Sequence, residues 1–233
     1  KCCVSGAGDL IVDYKTKTVR IKDLILKEGD YLSLNGTTGD VYEGSIATKE
    51  AELSPEFGEL MKITDKHTRL HVRANADTPA DALRARSFGA TGIGLCRTEH
   101  MFFDEERIKA MREMILAKDN QGRKEALDKM LPYQLEDFKG ILRAMHGLPV
   151  TIRFLDPPLH EFVPHDLKGQ VDMANILGVA LEVVQRRIES LEEHNPMLGH
   201  RGCRLGNTYP EITEMQTRAV LAAALELKKE GIA

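Results

Sequence analysis

Arginine stands at three places in this chain where a planar guanidinium could do chemistry. Arg97 closes the apolar run TGIGLC and is followed at once by Glu99 and His100. Arg153 closes PVTI and is followed by Asp156 and two prolines, and Arg201 sits in the glycine-spaced stretch NPMLGHRGCRLG. A guanidinium binds a carboxylate or phosphate through parallel N–H donors, so several converging on one pocket suit a small ligand carrying both groups. Each could instead be half of a structural ion pair, with Glu99, Asp156 or Glu161 as its partner. Three arginines arriving at comparable positions favour the anion pocket.

The elements that must position them follow from pattern. Glycine at alternate positions of an apolar run, Gly92 and Gly94, predicts a buried strand that a neighbouring backbone or helix approaches closely. Val150 and Ile152 mark a second apolar strand, stopped by Pro157 and Pro158. Both strands deliver charge to their C-terminal ends, which is where parallel α/β sheets carry chemistry. Leu70 to Asn75 alternates as a further strand, and Asp77 or Thr78 caps a helix from Ala80 to about Phe88 that Gly89 closes. Strand, helix and strand in so short a span predict parallel pairing with a right-handed crossover.

Residues 104 to 145 read as helical, punctuated by Gly122 and Pro132. Leu159 to Asp166 reads as an irregular polar loop, Leu181 to Glu193 as a helix, and Asn195 to Gly206 as short and irregular. A last helix starts at Pro210 and carries Lys228 and Lys229 at its C-terminal end. Gly231 then points toward a place where another strand should begin, so the sheet reads as unfinished.

The first 45 residues have a different texture: short alternating runs broken by glycine, asparagine and aspartate, hence hairpins without a helix. Their glycines fit turn chemistry better than a phosphate loop, since no helix opening on Lys-Ser/Thr follows. Ser54 as N-cap and Pro55 at the first helical position start a linker helix, with Phe57, Leu60 and Met61 on the face that packs against something larger.

Composition sets the bounds. With 233 residues, 42% of them hydrophobic, the chain can build a real core. Its 32 basic and 36 acidic residues leave a net charge of −4, so no general field attracts nucleic acid or anionic lipid, and anion binding must be local. No run approaches a membrane span, and four scattered cysteines (Cys2, Cys3, Cys96, Cys203) fit neither a disulfide scaffold nor zinc. A soluble protein of a reducing compartment is expected. The chain lacks an initiator Met and opens in mid-pattern, as a piece of a longer protein would.

Three strings, GLCRTEHMFF, VTIRFLDPPLHEFVPHDL and NPMLGHRGCRLGNTYPEITEMQTRA, resemble the pyruvate, phosphate dikinase family. That family belongs to a broader group of phosphoenolpyruvate-utilising enzymes, which includes phosphoenolpyruvate synthase and the phosphotransferase-system enzyme I. Cys96 with Glu99 to Phe103, and Pro157 to Glu161, bring the chain closest to the dikinases. The resemblance implies an α/β fold in which residues 70–233 are the incomplete N-terminal portion of a (β/α)8 TIM-like barrel for phosphoenolpyruvate and pyruvate. Residues 46–69 would be a linker helix, and residues 1–45, where KCCVSGAG carries the likeness, the β-rich C-terminal part of the swivelling phosphohistidine domain.

It further implies interconversion of ATP, pyruvate and phosphate with AMP, phosphoenolpyruvate and pyrophosphate. Arg97, Arg153 and Asp156 would be catalytic; Arg97, Arg153 and Arg201 would bind substrate. No histidine here stands in the Thr-Ser-His-Ala motif of the phosphate carrier. The resemblance places the ligands of the Mg2+ cofactor and the proton-donating cysteine on later strands, and the site for ATP, AMP and phosphate on another domain. It implies a homodimer with neither nucleic-acid nor membrane partner, cytoplasmic, or organellar (chloroplast or glycosome) in a plant or parasite. The 233 residues alone are expected to be inactive. The alternatives are a non-catalytic anion-binding or dimerisation module, or a piece of a related synthase or enzyme I.

Overall fold

Turn chemistry sets the register of the strands between Leu10 and Glu43 in the computed structural model, which describes residues 2–48, 54–192, 195 and 197–232. The chain divides into two units, Lys1–Met61 and Lys62–Ala233. In the first, strands β1 (Leu10–Asp13), β2 (Thr18–Ile21) and β3 (Leu24–Lys27) form an antiparallel sheet in that order, and β4 (Leu32–Asn35) pairs with β5 (Asp40–Glu43) as a separate hairpin. Asp13 Oδ1 accepts from the N–H groups of Lys15 and Thr16, and Asn35 Oδ1 from those of Thr37 and Thr38, so each turn is tied by the residue that enters it. Leu26 is the only buried residue among those described here, while Ile11, Tyr14, Ile25 and Tyr31 are exposed. Helix α1 (Pro55–His67) starts as its cap predicts, with the Phe57 N–H bonded to Ser54 Oγ, and it buries none of its residues. The face expected to pack, Phe57, Leu60 and Met61, is exposed.

The second unit is mixed α/β, and its sheet is parallel in the order β6 (Ala74–Asn75), β7 (Ile93–Arg97), β8 (Val150–Arg153). The alternate glycines act as the sequence requires. A Cβ on Gly92 would lie 2.7 Å from the Pro149 carbonyl oxygen, and one on Gly94 would lie 3.1 Å from Arg73 Cβ. Strand β6 is shorter than the alternation of Leu70 to Asn75 suggests; Val72 keeps only its carbonyl in the pairing, accepting from the Thr91 N–H. Helix α2 (Pro79–Ser87), capped by Thr78, links β6 to β7. A 3-10 turn (Thr98–Phe102), α3 (Arg107–Leu116) and α4 (Asn120–Ala144) link β7 to β8.

Pro132 was expected to interrupt this helical stretch and does not. It lies on the exposed side of α4, where the lost N–H bond faces solvent, while Met130, Gln134 and Phe138 hold the buried side. Gly122 belongs to the first turn of α4, its N–H donating to the capping Asp119. Beyond β8 the structure adds helix where loop was expected: α5 (Leu159–Phe162) lies within the polar segment, and α8 (Cys203–Thr208) begins in the glycine-spaced one. Helix α6 (Leu167–Leu177) has no counterpart in the sequence reading, although Asp166 caps its start and Gly178, with φ 62°, its end. Helix α7 spans Leu181–Ser190, and α9 (Pro210–Lys229) returns to pack on α4. Glu193, His194 and Pro196 lie outside the described residues. The core comprises Phe102, Met111, Met130, Phe138, Ile141, Ala219 and Ala223 with Ile93 from the sheet.

Candidate functional site

The end of β7 is held through its backbone. Asp77, just beyond β6, accepts the Arg97 N–H on Oδ1 at 2.6 Å and the His100 Nδ1–H on Oδ2 at 2.8 Å. The Arg97 guanidinium stands 4.0 Å from the same Oδ2, with 32% of its side chain exposed. This carboxylate therefore fixes the backbone and the neighbouring histidine more tightly than the arginine's charged end.

At the end of β8 the guanidinium itself is paired. Arg153, paired in register with Arg97, puts Nη2 on Glu99 Oε1 and Nη1 3.5 Å from Asp156 Oδ2. Arg201 grips Asp156 in a fork, Nε to Oδ1 at 3.0 Å and Nη2 to Oδ2 at 3.1 Å, and its Nη2 also reaches the Asp156 carbonyl. The Gly202 N–H adds a bond to Oδ1 at 3.0 Å, presented by a backbone with φ 57° that favours glycine. Glu99 Oε2 and Arg153 Nε are buried without a hydrogen-bond partner, leaving one acceptor and one donor uncommitted inside the cluster. Beside it opens a cleft of about 810 Å³, lined among others by Arg153, Asp156, Gly202, Cys203, Ile212 and Leu221.

Each predicted arginine thus meets a carboxylate, as the ion-pair alternative requires. Glu99 and Asp156 are two of the partners named from sequence, while the third is Asp77 and not Glu161. The structure joins Arg153, Asp156 and Arg201 in one network and sets Arg97 beside it on the adjacent strand. At Arg97 and Arg201 these interactions do not preclude ligand binding, because Asp77 and Asp156 are also held by other donors and an incoming dianion can compete for the two guanidiniums. Burial, reinforced by the charges of Asp77, Glu99 and Asp137, pushes the Cys96 thiol up to about 12, so it is a neutral packed residue. Burial also raises Asp137, against the hydrogen bond from Arg107 that lowers it.

Sequence reasoning missed two residues. Asp77 was read only as a possible helix cap; its signal is its place just beyond a strand end, the same place that selected Arg97. Gln216 interrupts the apolar stripe of α9 formed by Ile212, Met215, Ala219 and Ala223, and a polar residue in such a stripe is the sign of a buried network. Among the described residues no group of three or more His, Cys, Asp or Glu side chains could hold a metal ion, so the side chains present do not fit the Mg2+ that the resemblance implies. No described helix is long and apolar enough to cross a membrane.

The residues that form these strands and the cleft fall within the match of a family model. The model of the PEP-utilising enzyme, PEP-binding domain family covers residues 51–232, and the chain belongs to that family of phosphoenolpyruvate-utilising enzymes. Within it the similarity is to dikinases. The chain is 51% identical over 229 residues to pyruvate, phosphate dikinase of Clostridium symbiosum, covering 98% of this chain and 26% of that protein. It is 53% identical over 232 residues to the Giardia intestinalis dikinase, covering 100% of this chain and 26% of that one. With Arabidopsis thaliana pyruvate, phosphate dikinase 1, chloroplastic, identity is 54% over 234 residues, 100% of this chain and 24% of the relative. The chain spans about a quarter of the length of these curated relatives.

Proposed function

We propose that this chain supplies the arginine side of the pyruvate and phosphoenolpyruvate pocket of a pyruvate, phosphate dikinase. The observation that carries the reading is the pairing of Arg97 with Arg153 at the ends of adjacent parallel strands inside the matched PEP-binding region. In the reaction proposed for the whole enzyme, ATP and phosphate charge a histidine outside these residues, giving AMP and pyrophosphate. Pyruvate then loses a methyl proton, and the enolate oxygen takes the phosphoryl group as the N–P bond breaks. Charge spreads over the equatorial oxygens of that phosphoryl group, and positioned guanidiniums stabilise it most when water is excluded. Arg97 and Arg153 would meet the phosphoryl group and carboxylate, Asp156 would orient Arg153 and Arg201, and Arg201 would be a third phosphate contact.

The same reading takes residues 70–233 as the opening βα units of a (β/α)8 barrel, residues 46–69 as the linker helix, and residues 1–45 as part of the swivelling phosphohistidine domain. Mg2+ would be liganded by side chains outside this chain, and the whole enzyme would be a homodimer. By themselves the 233 residues would bind phosphoenolpyruvate weakly, with a Kd on the order of 1 mM, and would not turn it over. Calorimetric titration of the chain with phosphoenolpyruvate, repeated on Arg97→Ala and Arg153→Ala, tests the pocket: weak binding that both substitutions abolish is expected, and binding indifferent to both would sink the reading. The alternative of a dimer-forming module draws on the exposed Leu221 and Leu225 of α9, and sedimentation of Leu221→Lys against the parent chain tests it.

A further inference from the structure

Beneath the arginine cluster lies a buried amide, two of whose three bonds lead to it. Gln216 of α9 is 0% exposed. Its Nε2 donates to Thr98 Oγ1 and to Gln134 Oε1, both at 3.0 Å, and its Oε1 accepts from the Leu155 N–H at 2.6 Å. Thr98 Oγ1 in turn donates to the Arg153 carbonyl at 3.0 Å. The Leu155 N–H can only donate, so the amide oxygen must face it; the NH2 group is thereby turned toward Thr98 and Gln134. One side chain thus ties four segments: α9, α4, the turn that follows Arg97, and the chain between Arg153 and Asp156.

Its location makes it more than core filling. β8 pairs with β7 on one side, and no other strand pairs with it among the described residues. Just past its last residue the Arg153 carbonyl and the Leu155 N–H, on either side of Phe154, need partners in a buried setting. Thr98 supplies one and Gln216 the other, so the segment that bears Arg153 and Asp156 is fixed by hydrogen bonds in place of a strand. Thr98 and Gln134 are also 0% exposed, and bonds in so apolar a setting are stronger and more directional than at a surface.

We propose that Gln216, acting with Thr98, is the positioning residue that sets the backbone of Arg153 to Asp156 and thereby aims the Arg153 guanidinium at the ligand; this rests on the pocket reading above. Gln216→Met keeps the volume of the side chain and removes its bonds, and Thr98→Val does the same for the hydroxyl. Two readouts are taken on the 233-residue chain alongside its melting temperature. One is phosphoenolpyruvate affinity by calorimetry; the other is the Nε–Hε resonance of Arg153, identified by its disappearance in Arg153→Lys. Both variants are expected to melt cooperatively, to broaden or lose the Arg153 resonance and to weaken binding at least tenfold, with Thr98→Ser restoring both readouts. If Gln216→Met does not fold, Thr98→Val decides alone. A lowered melting temperature with the resonance unchanged and affinity within twofold would make Gln216 ordinary core and overturn the proposal. If the parent chain binds no phosphoenolpyruvate, the pocket reading fails, and the Arg153 resonance by itself still decides the positioning role.

Discussion

The ends of β7 and β8 carry the same kind of residue and hold its charged end differently. At β7 the carboxylate of Asp77 grips the Arg97 N–H and His100, while the guanidinium stands 4.0 Å off and a third exposed. At β8 the Arg153 guanidinium is itself the anchor, set between Glu99, which is 3% exposed, and Asp156, which Arg201 also grips. The difference teaches what each arginine can be asked to do. Arg97 is free to move toward a ligand without loosening the fold, whereas Arg153 cannot leave Glu99 without stranding a buried charge.

The largest effect should therefore come from Arg153→Ala. Removing it leaves Glu99 buried and uncompensated, at about 3 kcal/mol of unfolding free energy; this is the low end for a buried pair, because 35% of the Arg153 side chain is solvated. In a complete enzyme carrying this sequence it should also lower phosphoryl transfer to pyruvate by about 2 to 4 kcal/mol in activation free energy. Denaturant titration and a coupled pyruvate assay measure the two losses. An intact stability would mean that water reaches the Glu99 carboxylate and that the two strand ends are alike.

Arg97→Ala should separate those losses. Stability should change by less than about 1 kcal/mol, as for a loose, partly solvated pair 4.0 Å apart, while in the proposed complete enzyme transfer falls by about 2 to 4 kcal/mol in activation free energy and ATP-dependent phosphorylation of a histidine outside this chain persists. Loss of both half-reactions together would assign Arg97 a folding role and erase the contrast with Arg153.

Much of this contrast was legible in the sequence because strand ends are read from local pattern. Gly92, Gly94 and the double proline located β7 and β8, and the arginines came with them. What was not legible depended on distance or on an unusual backbone. Asp77 and Gln216 act across 20 or more residues, with Arg97 and with Thr98 and Leu155, and no local spacing announces that. The turn between β2 and β3 passed unseen because Lys22 adopts φ 53° there, where glycine or asparagine would have signalled it. Helix α6 went unread between a loop and a helix that were, although Asp166 and Gly178 bound it. In the first unit the hairpins were read from turn residues alone, and with only Leu26 buried among its described residues there is little long-range packing to have misread.

Asp77→Ala should have a moderate effect and act on β7 alone. It leaves the Arg97 N–H and the His100 ring without their acceptor, a loss of about 1 to 3 kcal/mol, and it should leave the Arg153 side-chain resonance where it was. Chemical denaturation with that resonance as reporter tests the point; movement of the Arg153 signal would show the two ends to be one coupled unit.

The smallest effect is a pH dependence from Cys96, which lies opposite Ile152 and beside Arg97. Burial first, then the charges of Asp77, Glu99 and Asp137, raise its thiol from 9.0 to about 12. Well below pH 9 the thiol is protonated in both folded and unfolded chains and contributes no pH dependence. Above it the unfolded chain releases the proton while the folded chain keeps it, so the unfolded state binds fewer protons and stability falls as pH rises toward 12. At pH 10 the loss should be about 1 kcal/mol. Cys96→Ala removes the titration, so its melting temperature should decline less between pH 8 and pH 10 than that of the parent chain, other titrating groups being common to both. Iodoacetamide at pH 8 should label the exposed Cys2, Cys3 and Cys203 and spare Cys96 in the folded chain. Equal pH slopes, together with labelling of Cys96, would mean that water reaches the β7 end, and the backbone grip of Asp77 on Arg97 would then be a surface contact.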